Sequence, residues 1–160
     1  MITAIDTNIL LDVLCSDPEF SENSMQLLQR QIHLGSLIIS PIVYSELLVF
    51  FLKKHETKAA VSKLEEFLED LDIQIFDFTK EDFNLSAQAY QDFLGIKQII
   101  CPKCGADNQF NCKRCNSKIL WKNHIITDFL IGAHAQNHAD VFITRDRGYY
   151  KRYFKIKLLF

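Results

Sequence analysis

Apolar residues along this chain recur at two spacings that take turns, which predicts strands alternating with helices. Ile2 to Asp6 is a short apolar run that reads as a buried strand with Asp6 at its C-terminal end. Thr7 and Asn8 offer a helix cap, and Ile9, Leu10, Val13 and Leu14 then mark a helical turn or two. A second helix is expected from about Ser21 to His33, stopped by Gly35, and a second buried strand over Leu37 to Ser40. Ser40 as cap and Pro41 at the first helical position open a third helix, with Val43, Leu47, Phe50 and Phe51 on one face and Glu46 one turn in. Thr57 to Leu71 repeats the pattern, and its run of Glu65, Glu66, Glu69 and Asp70 reads as a solvated helix face. Ile73 to Phe76 is a third strand, and Lys80 to Leu94 a further helix ended by Gly95. Near the end come a helix over His124 to Asn137, a buried strand over Asp140 to Thr144, a loop or short helix over Arg145 to Tyr150, and a last strand over Ile156 to Phe160. Such an order implies a mostly parallel sheet covered by helices on both faces.

The periodicity fails once. Between Ile96 and Trp121 Cys, Lys, Asn and Gly take over, so residues 97–122 read as a small module inserted into a single domain spanning 1–160. A chain of 160 residues can bury a real core, and a hydrophobic content of 48% with 24% charged residues excludes disordered and fibrous classes. The opening apolar run is broken by Asp6 and Asp12 and lacks a basic leader, so it is not a signal peptide. Apolar stretches such as Leu47 to Leu52 are too short to span a bilayer, so no membrane partner and a cytoplasmic location are expected. The net charge of −2 conceals a division: residues 97–160 hold 12 Lys/Arg against 4 Asp/Glu, leaving 6 against 16 for residues 1–96. A basic C-terminal portion is what a polyanionic partner would need.

In open parallel sheets ligands bind beyond the carboxyl ends of the strands. Asp6 and Asp146 follow strands there, and Glu46 and Asp128 lie among apolar neighbours in helices that begin near the same edge. Carboxylates in such surroundings are costly unless paired, hydrogen-bonded or bound to a cation, and an all-oxygen set favours Mg²⁺ or Mn²⁺. The plainer reading makes Asp6 and Asp146 helix caps and Glu46 a satisfied core acid.

Four segments, Ile5-Asp6-Thr7-Asn8-Ile9-Leu10-Leu11-Asp12, Ser45-Glu46-Leu47, Asp128-Phe129-Leu130-Ile131-Gly132-Ala133-His134-Ala135 and Ile143-Thr144-Arg145-Asp146, resemble the PIN-domain pattern in order. The likeness covers the chain except the cysteine insert. It implies a three-layer α/β/α fold with a mostly parallel central sheet and a Mg²⁺- or Mn²⁺-dependent ribonuclease. Asp6, Glu46, Asp128 and Asp146 would be its metal-binding catalytic acids, and the Thr144 hydroxyl would orient them. VapC-type toxins of toxin-antitoxin pairs belong to this family, which adds an antitoxin or other protein partner and a homodimer to the expectations. A PIN enzyme of rRNA or tRNA processing is the alternative, and a non-catalytic nucleic-acid-binding or docking module is another. The Arg147-Gly148-Tyr149-Tyr150 that follows Asp146 departs from the family's usual acidic or small residue and Phe. Asp12, typical of the family at its position, is read as structural.

Within the insert, Cys101-Pro102-Lys103-Cys104 and Cys112-Lys113-Arg114-Cys115 are two C-x₂-C turns. Their spacing predicts a structural Zn²⁺ held by Cys101, Cys104, Cys112 and Cys115 in a small zinc ribbon. Lys113 and Arg114 there, with Arg145 and Arg147 beside Asp146, are the candidate RNA contacts. His134 and His138, four apart, lack a third ligand and are read as structural or exposed, and Cys15 as a buried hydrophobe.

Overall fold

A computed structural model describes residues 1–95 and 126–160, together with 99–100, 107–108, 110–111, 114 and 118–119 between them. The chain runs β1 (Ile2–Ile5), α1 (Thr7–Leu14), α2 (Ser21–Ile32), β2 (Ser36–Ile39), α3 (Pro41–Leu52), α4 (Thr57–Asp70), β3 (Ile73–Ile75) and α5 (Lys80–Gly95). After four two-residue strands come α6 (Ile126–His138), β8 (Val141–Ile143), α7 (Arg147–Tyr153) and β9 (Lys157–Leu159). Five strands form one sheet in the order β3-β2-β1-β8-β9, and every pairing in it is parallel.

Burial follows that order. The middle strands present Thr3, Ala4 and Ile5, Leu37, Ile38 and Ile39, and Val141, Phe142 and Ile143, all buried. Successive side chains point to opposite faces, so burial of consecutive residues means that both faces are covered. β3, at one edge, buries Ile73 but leaves Ile75 and the following Phe76 exposed. The acidic run on α4 is exposed, as its amphipathic spacing predicts.

The strand order reverses between β1 and β8. From β1 the chain winds outward through β2 to β3, and then crosses back to β8 on the other side of β1. The ends of β1 and β8 therefore flank a topological switch point, where open α/β sheets leave a crevice. α6 packs against α5 and reaches both β1 and β8. It lies close to Phe154: a Cβ added at Gly132 would meet the Phe154 ring at 2.3 Å.

Two local expectations are corrected. Asp6, not Thr7 or Asn8, caps α1, its side chain accepting from Thr7 N. Cys15 is exposed rather than buried, because α1 ends at Leu14 and Cys15 is its C-cap, where the chain turns away through Ser16 at φ 49°.

The four zinc-ligand candidates Cys101, Cys104, Cys112 and Cys115, and Lys113 beside them, lie outside the described residues. The strands that bracket them are described. β4 (Ile99–Ile100) pairs antiparallel with β5 (Asp107–Asn108), and β6 (Phe110–Asn111) with β7 (Lys118–Ile119).

Candidate functional site at the sheet switch point

β1 ends at Ile5, so the next side chain, Asp6, emerges at the crevice while its backbone N–H still donates to Ile143 O on β8, at 3.0 Å. The carboxylate is 6% exposed and well supplied with donors. Thr144 Oγ1 donates to its Oδ2 at 2.6 Å, Asn8 Nδ2 to the same oxygen at 2.7 Å, and Thr7 N to Oδ1 at 2.8 Å. Thr144, fully buried after β8, also accepts from Asp146 N at 3.0 Å, so one hydroxyl joins the two aspartate-bearing loops.

Asp6, Asp128 and Asp146, from the ends of β1, the first turn of α6 and the loop after β8, line one open pocket of about 330 Å³ with Thr7, Asn8, Leu11 and Tyr150. Glu46, on α3, accepts a hydrogen bond from Thr7 Oγ1 and stands beside this pocket. Burial pushes the Asp6 carboxyl up to about 7 against the pull of its hydrogen bonds from Thr144 and Thr7, and the charges of Glu46 and Asp128 add to the rise. Burial likewise raises Glu46, with Thr7 opposing and Asp128 adding. Like charges gathered in a poorly solvated place are what a cation would relieve. Among the described residues no three acids, histidines or cysteines form a preformed cage for an ion.

The sequence-predicted residues divide accordingly. Asp6, Asp128, Asp146 and Thr144 come together, and Glu46 joins them through Thr7. Arg114 is exposed in the insert, and Arg147 begins α7. Arg145 is paired with Asp12 Oδ1 at 2.9 Å. The sequence offers Thr7 and Asn8 only as caps, yet both touch the acids. Their signal is position, since polar residues one and two places after a buried aspartate at a strand end can reach back to it. His134 and His138 lie apart, at the far end of α6: His134 Nε2 meets Phe76 O at 2.8 Å and His138 Nε2 meets Asp82 Oδ2 at 2.8 Å.

Comparisons with known proteins agree with this fold. The PIN domain family profile matches residues 3–96. VapBC2 from Rickettsia felis, solved bound to a DNA fragment from its promoter, superposes with a TM-score of 0.63 at 22% identity, covering 99% of this chain and 98% of that one. VapBC-1 from nontypeable Haemophilus influenzae gives 0.67 at 15% identity, covering 99% and 97%. VapC20 from Mycobacterium tuberculosis, a sarcin-ricin loop cleaving toxin, gives 0.53 at 10% identity, covering 96% of each chain. No curated protein matches the sequence.

Proposed function

Because the chain belongs to the PIN-domain family, we propose that it is a Mg²⁺- or Mn²⁺-dependent endoribonuclease acting as the toxin of a toxin-antitoxin pair. The observation that carries the reading is the meeting of Asp6, Asp128 and Asp146 in one pocket, with Asp6 raised to about 7. Those three would hold the ion, with Glu46 adding negative charge beside them. Bound there, the ion supplies charge neutralisation and Lewis-acid polarisation of the phosphodiester. The protein's own part is to orient: Thr144, Asn8 and the Thr7 N–H fix both Asp6 oxygens, and Thr144 holds the Asp146 backbone. The solved structures it resembles include toxin-antitoxin complexes, and α3 leaves Val49 and Leu52 exposed, both of which support a protein partner.

The reading extends to a structural Zn²⁺ on Cys101, Cys104, Cys112 and Cys115. Its support is a repeat: Ile100 and Asp107 pair across a connection with cysteines at its first and fourth residues, and Asn111 and Lys118 do the same. Two such turns offer four thiolates, a complete structural set with no position left for chemistry.

The test is cleavage of a mixed RNA pool by purified protein with Mg²⁺ or Mn²⁺, against EDTA and the variants Asp6→Asn and Asp146→Asn. Cutting that disappears with EDTA and in both variants is expected. Full activity in either folded variant would overturn the assignment, and RNA binding without cutting would favour a non-catalytic binding module.

A further inference from the structure

Arg145 immediately precedes Asp146, and a cation there is most simply read as a grip on substrate phosphate. Its surroundings argue otherwise. Nη2 lies 2.9 Å from Oδ1 of Asp12, whose side chain is 2% exposed, while only 33% of the arginine side chain is exposed. Its guanidinium carbon lies 4.3 Å from the centre of the Phe20 ring. Ser24 Oγ, on α2, donates to the other Asp12 oxygen at 2.7 Å. Among the described residues, Arg145 Nε is buried with no hydrogen-bond partner.

The backbone is fastened as well. Arg145 N donates to Asn8 Oδ1 at 3.3 Å, and Asn8 Nδ2 donates to Asp6. Asp12 and Asn8 both belong to α1, so two points on one rigid helix hold the loop that carries Asp146. Asp6 is the N-cap of the same helix. Only a planar guanidinium can cover an aromatic face while its edge meets a carboxylate, so lysine would not reproduce both contacts.

We propose that Asp12 and Arg145 form a positioning strut that sets the Asp146 carboxylate against Asp6 and thereby sets the divalent-ion affinity of the pocket. This rests on the metal-dependent nuclease reading above. Ion affinity is sensitive to such support, because Mg²⁺ demands near-ideal geometry and residues behind metal ligands typically change affinity about 10–100-fold.

The experiment uses the full chain and the variants Arg145→Met, Arg145→Lys, Asp12→Asn and Asp12→Asn with Arg145→Met. It measures Mn²⁺ binding by calorimetry, cooperative melting as the fold control, and kcat and KM for RNA at saturating Mn²⁺. Arg145→Met should weaken Mn²⁺ about tenfold or more while KM stays put, and Arg145→Lys should recover only part of the loss. The double variant should be no worse than either single one, since the two residues act as a unit. Wild-type Mn²⁺ affinity in folded Arg145→Met would overturn the strut, even with a lowered melting temperature. A raised KM with unchanged Mn²⁺ affinity would make Arg145 an RNA contact instead, overturning it too. Wild-type protein that binds Mn²⁺ but cuts no RNA would sink the nuclease reading alone, since the strut is read from ion binding. Wild-type protein that binds no Mn²⁺ would sink both.

Discussion

Asp6 carries the sharpest residue-scale consequence. Its folded carboxyl lies near 7, against 3.8 for the ordinary group, so between those values the native state binds a proton that the unfolded chain releases. Native stability therefore falls as pH rises through that window, by on the order of 4 kcal/mol across it. His134 works in the opposite sense: burial holds it below 6.5, so its contribution is lost as pH falls. Melting wild type beside Asp6→Asn, without divalent ions, separates the two. The stability difference should move against the wild type from about pH 4 to 7, and Mn²⁺ should raise the wild-type melting temperature more at the alkaline end, where no proton competes. A difference that stays flat with pH would remove the claim. Asp6 and Asp146 were legible because a strand end in a parallel sheet is a predictable place. The support around them was not: Asp12 meets Arg145 across nearly the whole chain, and nothing in the spacing of either residue signals the other.

At the scale of elements, periodicity located the strands and helices but not how closely they approach. Gly132 lies in α6 four residues after Asp128 and so on the same helix face, against the buried ring of Phe154. Two effects oppose each other in Gly132→Ala. Helix propensity favours alanine by about 1 kcal/mol, whereas a Cβ 2.3 Å from a ring that is 4% exposed forces repacking, typically about 1–3 kcal/mol. The clash should win, since a ring so enclosed cannot step aside. Thermal denaturation should show a lower midpoint, and RNA cleavage should fall with it as α6 carries Asp128 outward. An unchanged or higher midpoint would mean that propensity prevails. Asp82 shows what fastens the other end of α6. Burial pushes its carboxyl up, but bonds from Thr79, His138 and Asn137 bring it below the ordinary value, so α5 and α6 are tied at the end away from Asp128.

For the whole molecule, the proposed insert at 97–122 falls in sequence between α5, which ends at Gly95, and α6, which starts at Ile126, two residues before Asp128. The PIN profile ends at residue 96, one residue before the proposed insert. If four thiolates hold Zn²⁺ there, Cys101→Ser should drop the bound zinc from one per chain and loosen the α6 entrance, with RNA cleavage reduced while the sheet melts as before. Elemental analysis with circular dichroism checks this. Zinc-free wild-type protein would dismiss the metal, and unchanged cleavage in the zinc-depleted variant would dismiss the link to Asp128. Among the described residues, no helix is long and apolar enough to cross a membrane. Broken periodicity is the sequence's ground for expecting an insert, whereas the sheet's switch point required knowing that β1 pairs on both sides.

That double pairing has a consequence for synthesis. β1 is made long before β8, so Thr3, Ala4 and Ile5 find their partners on one side only when Val141, Phe142 and Ile143 have been translated. Asp6 then receives Thr144, and Asp146 arrives two residues later. However early β1 and its neighbours β2 and β3 come together, the acidic pocket cannot assemble before residues 141–146 have emerged, so its completion is tied to the late arrival of β8.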